Sequence, residues 1–300
     1  MYTKNMIGDF MNMLKVKAYG KVNLSLGITG KKENGYHLVE MIMQQISLHD
    51  VVTVKKIQSG IVLTTNCPFI PNDQSNIAFK VAEAMLAKFN IQSGVSIHIE
   101  KNIPVAAGLA GGSADAAGVI EAIDKIFNLN MSRKDRQAFA LPFGADIPFC
   151  LQGGTAIATG IGEDLEKIKG LDNTWLVLVK PSVKVSTESV YKAFDLNKVV
   201  KQPNTQKIKR ILEMGHLKEL SGEMVNVLEE VTGKEHPVIY SIEQKLKSFG
   251  AIEAMMSGSG PTVFGVFMHY KTAEKAYKNM CKTEKDVFLV KGCQGGNHDE

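Results

Sequence analysis

The spacing of hydrophobic and polar residues changes period along the chain, and each change marks an element. Residues 14–28, LKVKAYGKVNLSLGI, alternate apolar and polar side chains for much of their length, the period of a half-buried strand. A turn signal, Asn34-Gly35, follows within KKENGYHLVE. DVVTVKKI and GIVLTTN predict a second strand pair. In residues 75–89 the apolar positions fall at 77, 78, 81, 85, 86 and 89, which is helical spacing. GVSIHIEKNI returns to alternation, with Val95, Ile97 and Ile99 on one face.

Beyond a glycine-rich stretch, SADAAGVIEAIDKIFN carries Ala116, Val119, Ile120, Ile123 and Phe127 on a helical stripe. Ser113 is the expected N-cap of this helix and Asp115 the expected first-turn acid. SRKDRQAFALPF predicts a second short helix ending near Pro142. GGTAIATG and NTWLVLVKPS read as strands. The C-terminal half predicts helices near 187–194, 204–214, 216–231 and 236–249. Strands AIEAMMSG and TVFGVFM follow, then a helix near 271–281 and a last strand VFLVKG. Helices and strands alternate unevenly, which predicts an α+β fold of mixed sheets and helices. The polar stretch GEDLEKIKGLDNT between two strands marks a domain boundary. The expected division is a loose N-terminal extension over 1–12, an N-terminal domain over 13–168 and a C-terminal domain over 169–300.

Composition narrows the function classes. A hydrophobic fraction of 44% over 300 residues is enough for a sizeable core. The net charge of +4 is a mild basic excess that suits an anionic small molecule, and no run of five or six Lys/Arg supports nucleic-acid binding. There is no run of eighteen apolar residues, and the first twenty residues lack the apolar core and cleavage site of a secretory signal. A cytoplasmic protein without a membrane partner is expected, as a monomer or weak homodimer. Cys67, Cys150, Cys281 and Cys293 are widely spaced with no C-x-x-C pair, which predicts reduced thiols and no protein-borne metal site.

The strongest local signal is NIPVAAGLAGGSADAAGV, residues 102–119. Glycine lets a backbone approach a phosphate closely and adopt positive φ, and a following helix adds free N–H groups and a positive dipole end. The loop is neither a Walker A motif nor a G-x-G-x-x-G fingerprint. From composition alone, a tight strand-to-helix turn packed on a sheet is an equal alternative.

PVAAGLAGGSADAA (104–117) resembles the ATP-binding motif of the GHMP kinases. AYGKVNLSLGITGKKENGYHLVEMIMQQISLHD (18–50), FGADIPFCLQGGTAIATGIGE (143–163), MVNVLEEV (224–231) and MMSGSGPTVFG (255–265) resemble further blocks of one branch of that family. The blocks run in order over nearly the whole chain. The resemblance implies a two-domain GHMP kinase fold with its active site in the interdomain cleft. It also implies the reaction of that branch: ATP phosphorylates a tertiary hydroxyl on a cytidine-diphosphate conjugate of methylerythritol, in the non-mevalonate isoprenoid pathway. Mg2+ is expected with the nucleotide.

Residue by residue, the resemblance makes Asp146 the base that takes the hydroxyl proton and Lys21 the neighbouring ammonium. A helix or turn cap is the plain alternative for Asp146, and an outward-facing strand lysine for Lys21. ATP is implied to lie against Pro104, Ala106, Gly108, Leu109, Ala110, Gly111, Gly112 and Ser113, with Asn76 and Lys101 nearby. Asn76 could equally cap its helix and Lys101 be solvated. Tyr36 and Tyr191 are implied to sandwich the cytosine, with His37 on its edge and Thr187 beside it. Asn23 is matched to the methylerythritol hydroxyls, or it satisfies strand backbone. Ser257 and Gly258 in SGSGPT contact phosphate or only pack. Gly20 departs from the alanine of the pattern and leaves the pose of Lys21 open. Pro142 and Phe143 depart from a plainer helix end. Rival readings are a GHMP kinase acting on another alcohol, such as homoserine, and a nucleotide-binding module that has lost catalysis.

Overall fold

A computed structural model describes residues 12–33 and 35–293. The expected extension therefore lies outside the described residues except for Asn12, whose carbonyl accepts the Lys56 N–H at 2.8 Å. Asn34 of the turn signal is outside them as well, while Gly35 takes a φ of 88°.

Two long strands, β1 (Met13–Lys31) and β2 (His37–Ile57), form an antiparallel hairpin. β1 lies along one edge of β2. Along the other edge, the C-terminal half of β2 pairs with β4 (Gly94–Glu100) and its N-terminal half with β5 (Thr155–Thr159). β3 (Ile61–Thr65) and β6 (Asp164–Ile168) complete a six-stranded sheet. Two expectations are corrected here. β3 does not pair with the DVVTVKKI segment; it runs parallel to β4. The polar stretch expected to lie between two strands itself contains β6, an edge strand paired to β5.

Helices α1 (Ile77–Lys88), α2 (Gly111–Ile126), α3 (Arg133–Ala140) and α4 (Ile147–Gln152) cover this sheet. Val95, Ile97 and Ile99 are all fully buried against them, as the alternation predicts. α2 is buried continuously from Ala114 to Asp124, so it runs through the core and not along its surface. Ser132 caps α3 in a capping box with Asp135, and a 3-10 turn over Leu141–Phe143 takes Pro142.

β7 (Trp175–Lys180), β8 (Glu253–Met256), β9 (Val263–Phe267) and β10 (Asp286–Lys291) form a second, antiparallel sheet in the order β10-β7-β9-β8. Around it lie α5 (Thr187–Ala193), α6 (Thr205–Met214), α7 (Glu229–Glu235), α8 (Val238–Ser248) and α9 (Tyr270–Met280). The single helix expected over 216–231 is corrected to a 3-10 turn at Leu217–Leu220, an extended stretch and only then α7. The extended stretch pairs with β1: Leu26 N–H donates to Val225 C=O at 2.8 Å and Val227 N–H to Leu26 C=O at 2.9 Å. One apolar core joins Val22, Leu24 and Ile42 of the first sheet to Leu178 and Phe264 of the second. The two sheets are thereby fastened together with β1 and β2 between them, and a cleft opens along β1. No helix of the described residues is long and apolar enough to cross a membrane. The four cysteines are free thiols.

Candidate active site

The cleft has a volume of about 870 Å³, within the range of small-molecule sites. Every expected site residue except Leu109 and Ser257 lines it. Leu109 is corrected: its side chain is buried in the core with Ile103 and Ala107, and it contributes a carbonyl that accepts the Lys21 N–H at 3.0 Å.

The glycine loop forms one wall. Ala106, Gly108 and Ala110 adopt left-handed backbone (φ 51°, 72° and 57°), with negative φ at the residues between them. Such alternation turns successive N–H groups toward one side and makes an anion-binding concavity. Left-handed alanine costs roughly 1–2 kcal/mol, so the shape is held by its surroundings. Ala110 is the N-cap of α2 and Gly111 its first residue, which corrects the expected Ser113 cap. Ser113 is the third helical residue and faces the cleft. Gly111, Gly112 and Ser113 thus present the free N–H groups of a helix start, where a phosphate is stabilised. Asp115 is not an exposed first-turn acid; it is buried one turn further in.

β1 supplies the opposite group. The pairing of β1 with β2 shifts register between Tyr19 and Lys21, and again between Asn23 and Ser25. The first shift falls on Gly20, where an added Cβ would sit 3.3 Å from both Ile103 and the Leu109 carbonyl oxygen. The bulge turns Lys21 and Asn23 into the cleft on the same side of the strand. Lys21 is only 5% exposed, which rules out an outward-facing lysine. Its Nζ donates to Asn23 Oδ1 at 2.8 Å and lies 3.7 Å from Asp146 Oδ2. Asn23 Nδ2 donates in turn to Met41 Sδ at 3.2 Å. Asp146 stands at the N-terminal edge of α4 but makes no side-chain cap bond, so capping does not account for it. Its carboxylate is one-third exposed, toward the cleft. Cys150, one turn along α4, is buried, and that burial together with the Asp146 charge pushes its thiol well up, so it stays protonated.

At the far end, Tyr36 and His37 enter from the hairpin turn and Tyr191 from α5. The His37 ring lies 5.3 Å from that of Tyr191 and 5.9 Å from that of Phe194. Burial, then the charge of Lys31, lowers the His37 pKa, which favours the neutral imidazole. Burial, then Asp146, raises that of Tyr191, which keeps its hydroxyl a donor. Tyr36 is 60% exposed and borders the opening. Thr187 Oγ1 hydrogen-bonds Ser259 Oγ at 2.8 Å, tying α5 to the second glycine turn.

Two expected nucleotide contacts have other partners. Asn76 caps α1: its Oδ1 accepts from Ala78 N–H at 2.9 Å and its Nδ2 donates to Pro71 C=O at 2.7 Å. Lys101 is not solvated, because its ammonium is enclosed between Asp50 and Asp115. In the second turn, Gly258 and Ser259 line the cleft. Ser257 is fully buried: its Oγ accepts from Asn23 N–H at 3.3 Å and donates to Gly108 C=O at 3.0 Å. Sequence reasoning missed Asp50, Met41 and Ser259. A lone acid inside the apolar alternation LHDVVTV was the available signal for Asp50.

The GHMP kinases N terminal domain family matches residues 76–154, and the GHMP kinases C terminal family matches residues 202–286. With the fold and the loop, these matches make the molecule a GHMP kinase. The chain is 46% identical over 278 residues to 4-diphosphocytidyl-2-C-methyl-D-erythritol kinase of Clostridium botulinum (strain Alaska E43 / Type E3), covering 93% of this chain and 99% of that one. It is 45% identical over 291 residues to the enzyme of the same name from Alkaliphilus metalliredigens (strain QYMF), covering 97% and 100%. The chain belongs to this family of 4-diphosphocytidyl-2-C-methyl-D-erythritol kinases. A crystal structure of 4-(cytidine 5'-diphospho)-2C-methyl-D-erythritol kinase superimposes with a TM-score of 0.80 at 29% identity, over 94% of this chain and all of that one. The homoserine kinase of Cytophaga hutchinsonii ATCC 33406 shares the fold, with a TM-score of 0.78 at 20% identity over 99% and 98%.

Proposed function

We propose that the cleft transfers the γ-phosphoryl group of ATP to the 2-hydroxyl of 4-diphosphocytidyl-2-C-methyl-D-erythritol, giving the 2-phosphate and ADP on the non-mevalonate route to isoprenoid precursors. One observation carries the reading: the Lys21–Asp146 pair stands in a single cleft between a phosphate-shaped loop and an aromatic end. In this reading the triphosphate lies along residues 104–113 and the cytosine between Tyr36 and Tyr191. His37, neutral at physiological pH, bonds the base edge, and Asn23 holds the methylerythritol hydroxyls.

Asp146 accepts the proton as the substrate oxygen bonds to the γ-phosphorus and the bond from that phosphorus to the β-γ bridging oxygen breaks. Such a base is worth about 10²–10⁴ in rate, and positioning with charge stabilisation supplies most of the rest. The Lys21 ammonium, fixed by Asn23, pairs with the carboxylate and faces the developing charge. Among the described residues no group of three or more His, Cys, Asp or Glu is placed to hold a metal ion. Mg2+ fits as an ion carried by the nucleotide, with the Ser113 hydroxyl and Asp146 the protein oxygens on the same cleft. Bound there, it would supply positive charge that offsets the charge of the phosphates.

The reading includes a domain division after Ile168, where the first sheet ends, and a cytoplasmic enzyme that is a monomer or weak homodimer and binds neither nucleic acid nor membrane. It is tested by ADP release with the cytidine conjugate, homoserine or mevalonate as acceptor. Turnover is expected with the conjugate alone, and Asp146→Asn and Lys21→Met should each lower kcat at least ~100-fold. Near-normal kcat in either folded variant would remove that residue from the mechanism.

A further inference from the structure

Three charged groups outside the reacting pair converge on the two ends of the glycine loop. Asp50, on β2, is fully buried. A buried carboxylate is expensive unless its oxygens are bonded, and these are. Oδ1 accepts the N–H groups of Asn102 and Ile103 at 2.6 and 2.7 Å, where the chain leaves β4 to begin the loop. Oδ2 accepts from the Lys101 ammonium. The same ammonium donates to Asp115 Oδ2 at 2.7 Å, on α2 just past the loop's other end. It also lies against Gly111, where a Cβ would be 3.2 Å from Nζ, so a larger residue at the start of α2 would press on the ammonium. One cation thus joins Asp50, which holds the loop's first N–H groups, to the helix that closes the loop. Burial drives Asp115 toward its protonated form, which keeps the cluster close to neutral beside the phosphates.

We propose that Asp50 and Asp115 are positioning residues for the nucleotide: through Lys101 they clamp both roots of the glycine loop and hold its N–H groups in the arrangement that receives the triphosphate. Asp50 does not line the cleft, so it acts only through the loop. The inference rests on the reading that this loop binds ATP. Lys101 is then spent on the loop itself, unlike Lys21, whose ammonium stands beside Asp146 in the cleft.

The test is steady-state kinetics on Asp50→Asn and Asp115→Leu, with Gly112→Glu as an independent probe of the loop. Gly112 borders the cleft and a Cβ there meets nothing within 4 Å, so a glutamate repels phosphate without disturbing the clamp. In the two clamp variants KM for ATP is expected to rise about tenfold, the scale of one lost charged hydrogen bond, while KM for the cytidine conjugate stays within about twofold. Hydrogen exchange of the Asn102 and Ile103 amides should quicken at least about tenfold in Asp50→Asn, in step with that loss. An unchanged ATP KM in the clamp variants beside a raised one in Gly112→Glu overturns the clamp and leaves the ATP reading standing. An unchanged ATP KM in Gly112→Glu overturns the ATP reading, and the clamp with it. Equal rises in both KM values mean general damage and also overturn the clamp. If Asp50→Asn does not fold, Asp115→Leu carries the same comparison.

Discussion

The two glycine turns, GLAGGS in the N-terminal half and SGSGP in the C-terminal half, are alike in composition and opposite in use. Each follows a strand, β4 or β8, and each contains left-handed residues. Each is held at its root by a carboxylate that accepts main-chain N–H: buried Asp50 takes those of Asn102 and Ile103, and half-buried Glu229 takes that of Met256 at 2.7 Å. The first turn leads into a helix whose free N–H groups face the cleft, whereas the second leads into β9 and is buried. They touch at Gly108, where a Cβ would be 2.3 Å from the Ser257 carbonyl oxygen. At Gly112 a Cβ would meet nothing. Small residues in one loop therefore serve two ends, open space on the cleft at Gly112 and room for another backbone at Gly108.

That distinction has a sharp consequence. Gly108→Ala places a Cβ against backbone atoms at a φ of 72°, and neither turn can yield cheaply. It should lower kcat/KM for ATP at least ~100-fold, the loss that misplacing groups around a reacting centre brings, and lower Tm as well. Gly260→Ala has a comparable φ of 86°, but its Cβ meets the flexible Met256 side chain first, so the loss should be smaller. Gly112→Ala, in a helix and facing open space, should keep Tm or raise it, since alanine is favoured over glycine there by about 1 kcal/mol. Equal effects at 108 and 112 would break the comparison.

Much of this was legible beforehand, and the failures share a cause. The period-2 pattern of β4 and the period-3.6 pattern of α1 located those elements because each buries one face. Ordered motifs located Lys21, Asp146, Tyr36, His37 and Tyr191, which the fold brings to one cleft. What stayed hidden depended on distant partners. The parallel pairing of β3 with β4 leaves no local mark, and the polar edge strand DLEKI reads as a polar stretch between strands. Residues 216–231 have helical spacing, yet Gly222 takes a φ of 73° and the segment pairs with Leu26 of β1. Leu109 belongs to the motif, but its side chain points into the core. Ser113 resembles an N-cap because Ala110 in left-handed geometry is not something composition reveals.

The second turn also reaches the aromatic end of the cleft. Ser259 holds Thr187 at the start of α5, and that helix carries Tyr191. If the first turn serves ATP and the second supports the acceptor, variants of the aromatic pair should separate the two. Tyr36→Ala and Tyr191→Ala should each raise KM for the cytidine conjugate about tenfold, within the ~1–3 kcal/mol of one base stack, and leave KM for ATP unchanged. Ser259→Ala should shift the same constant in the same direction by less. Unchanged conjugate KM in both tyrosine variants would remove the sandwich.

The root of the second turn differs from that of the first in its proton inventory, and this gives the smallest effect. Asp50 answers to a lysine, but Glu229 lies against another acid, Glu243, whose pKa is pushed up to about 9 by burial and then by Glu229. Lys247 opposes this and Glu253 adds to it. A carboxyl whose folded pKa lies above its unfolded value stabilises fully only below the unfolded value, and that contribution is lost as pH rises through the folded one. For Glu243 the window runs from about 4.5 to about 9. Glu243→Gln keeps a donor toward Glu229 and has no proton to lose. It should match the parent at pH 4 and gain in Tm across that window, by a few degrees at neutral pH, each kcal/mol being worth about 2–4 °C. Asp115→Asn at the first turn should also gain with pH, since burial raises that carboxyl too, while Lys101 limits its gain. A Glu243→Gln variant whose Tm tracks the parent at every pH would show that the second turn is not held by a shared proton.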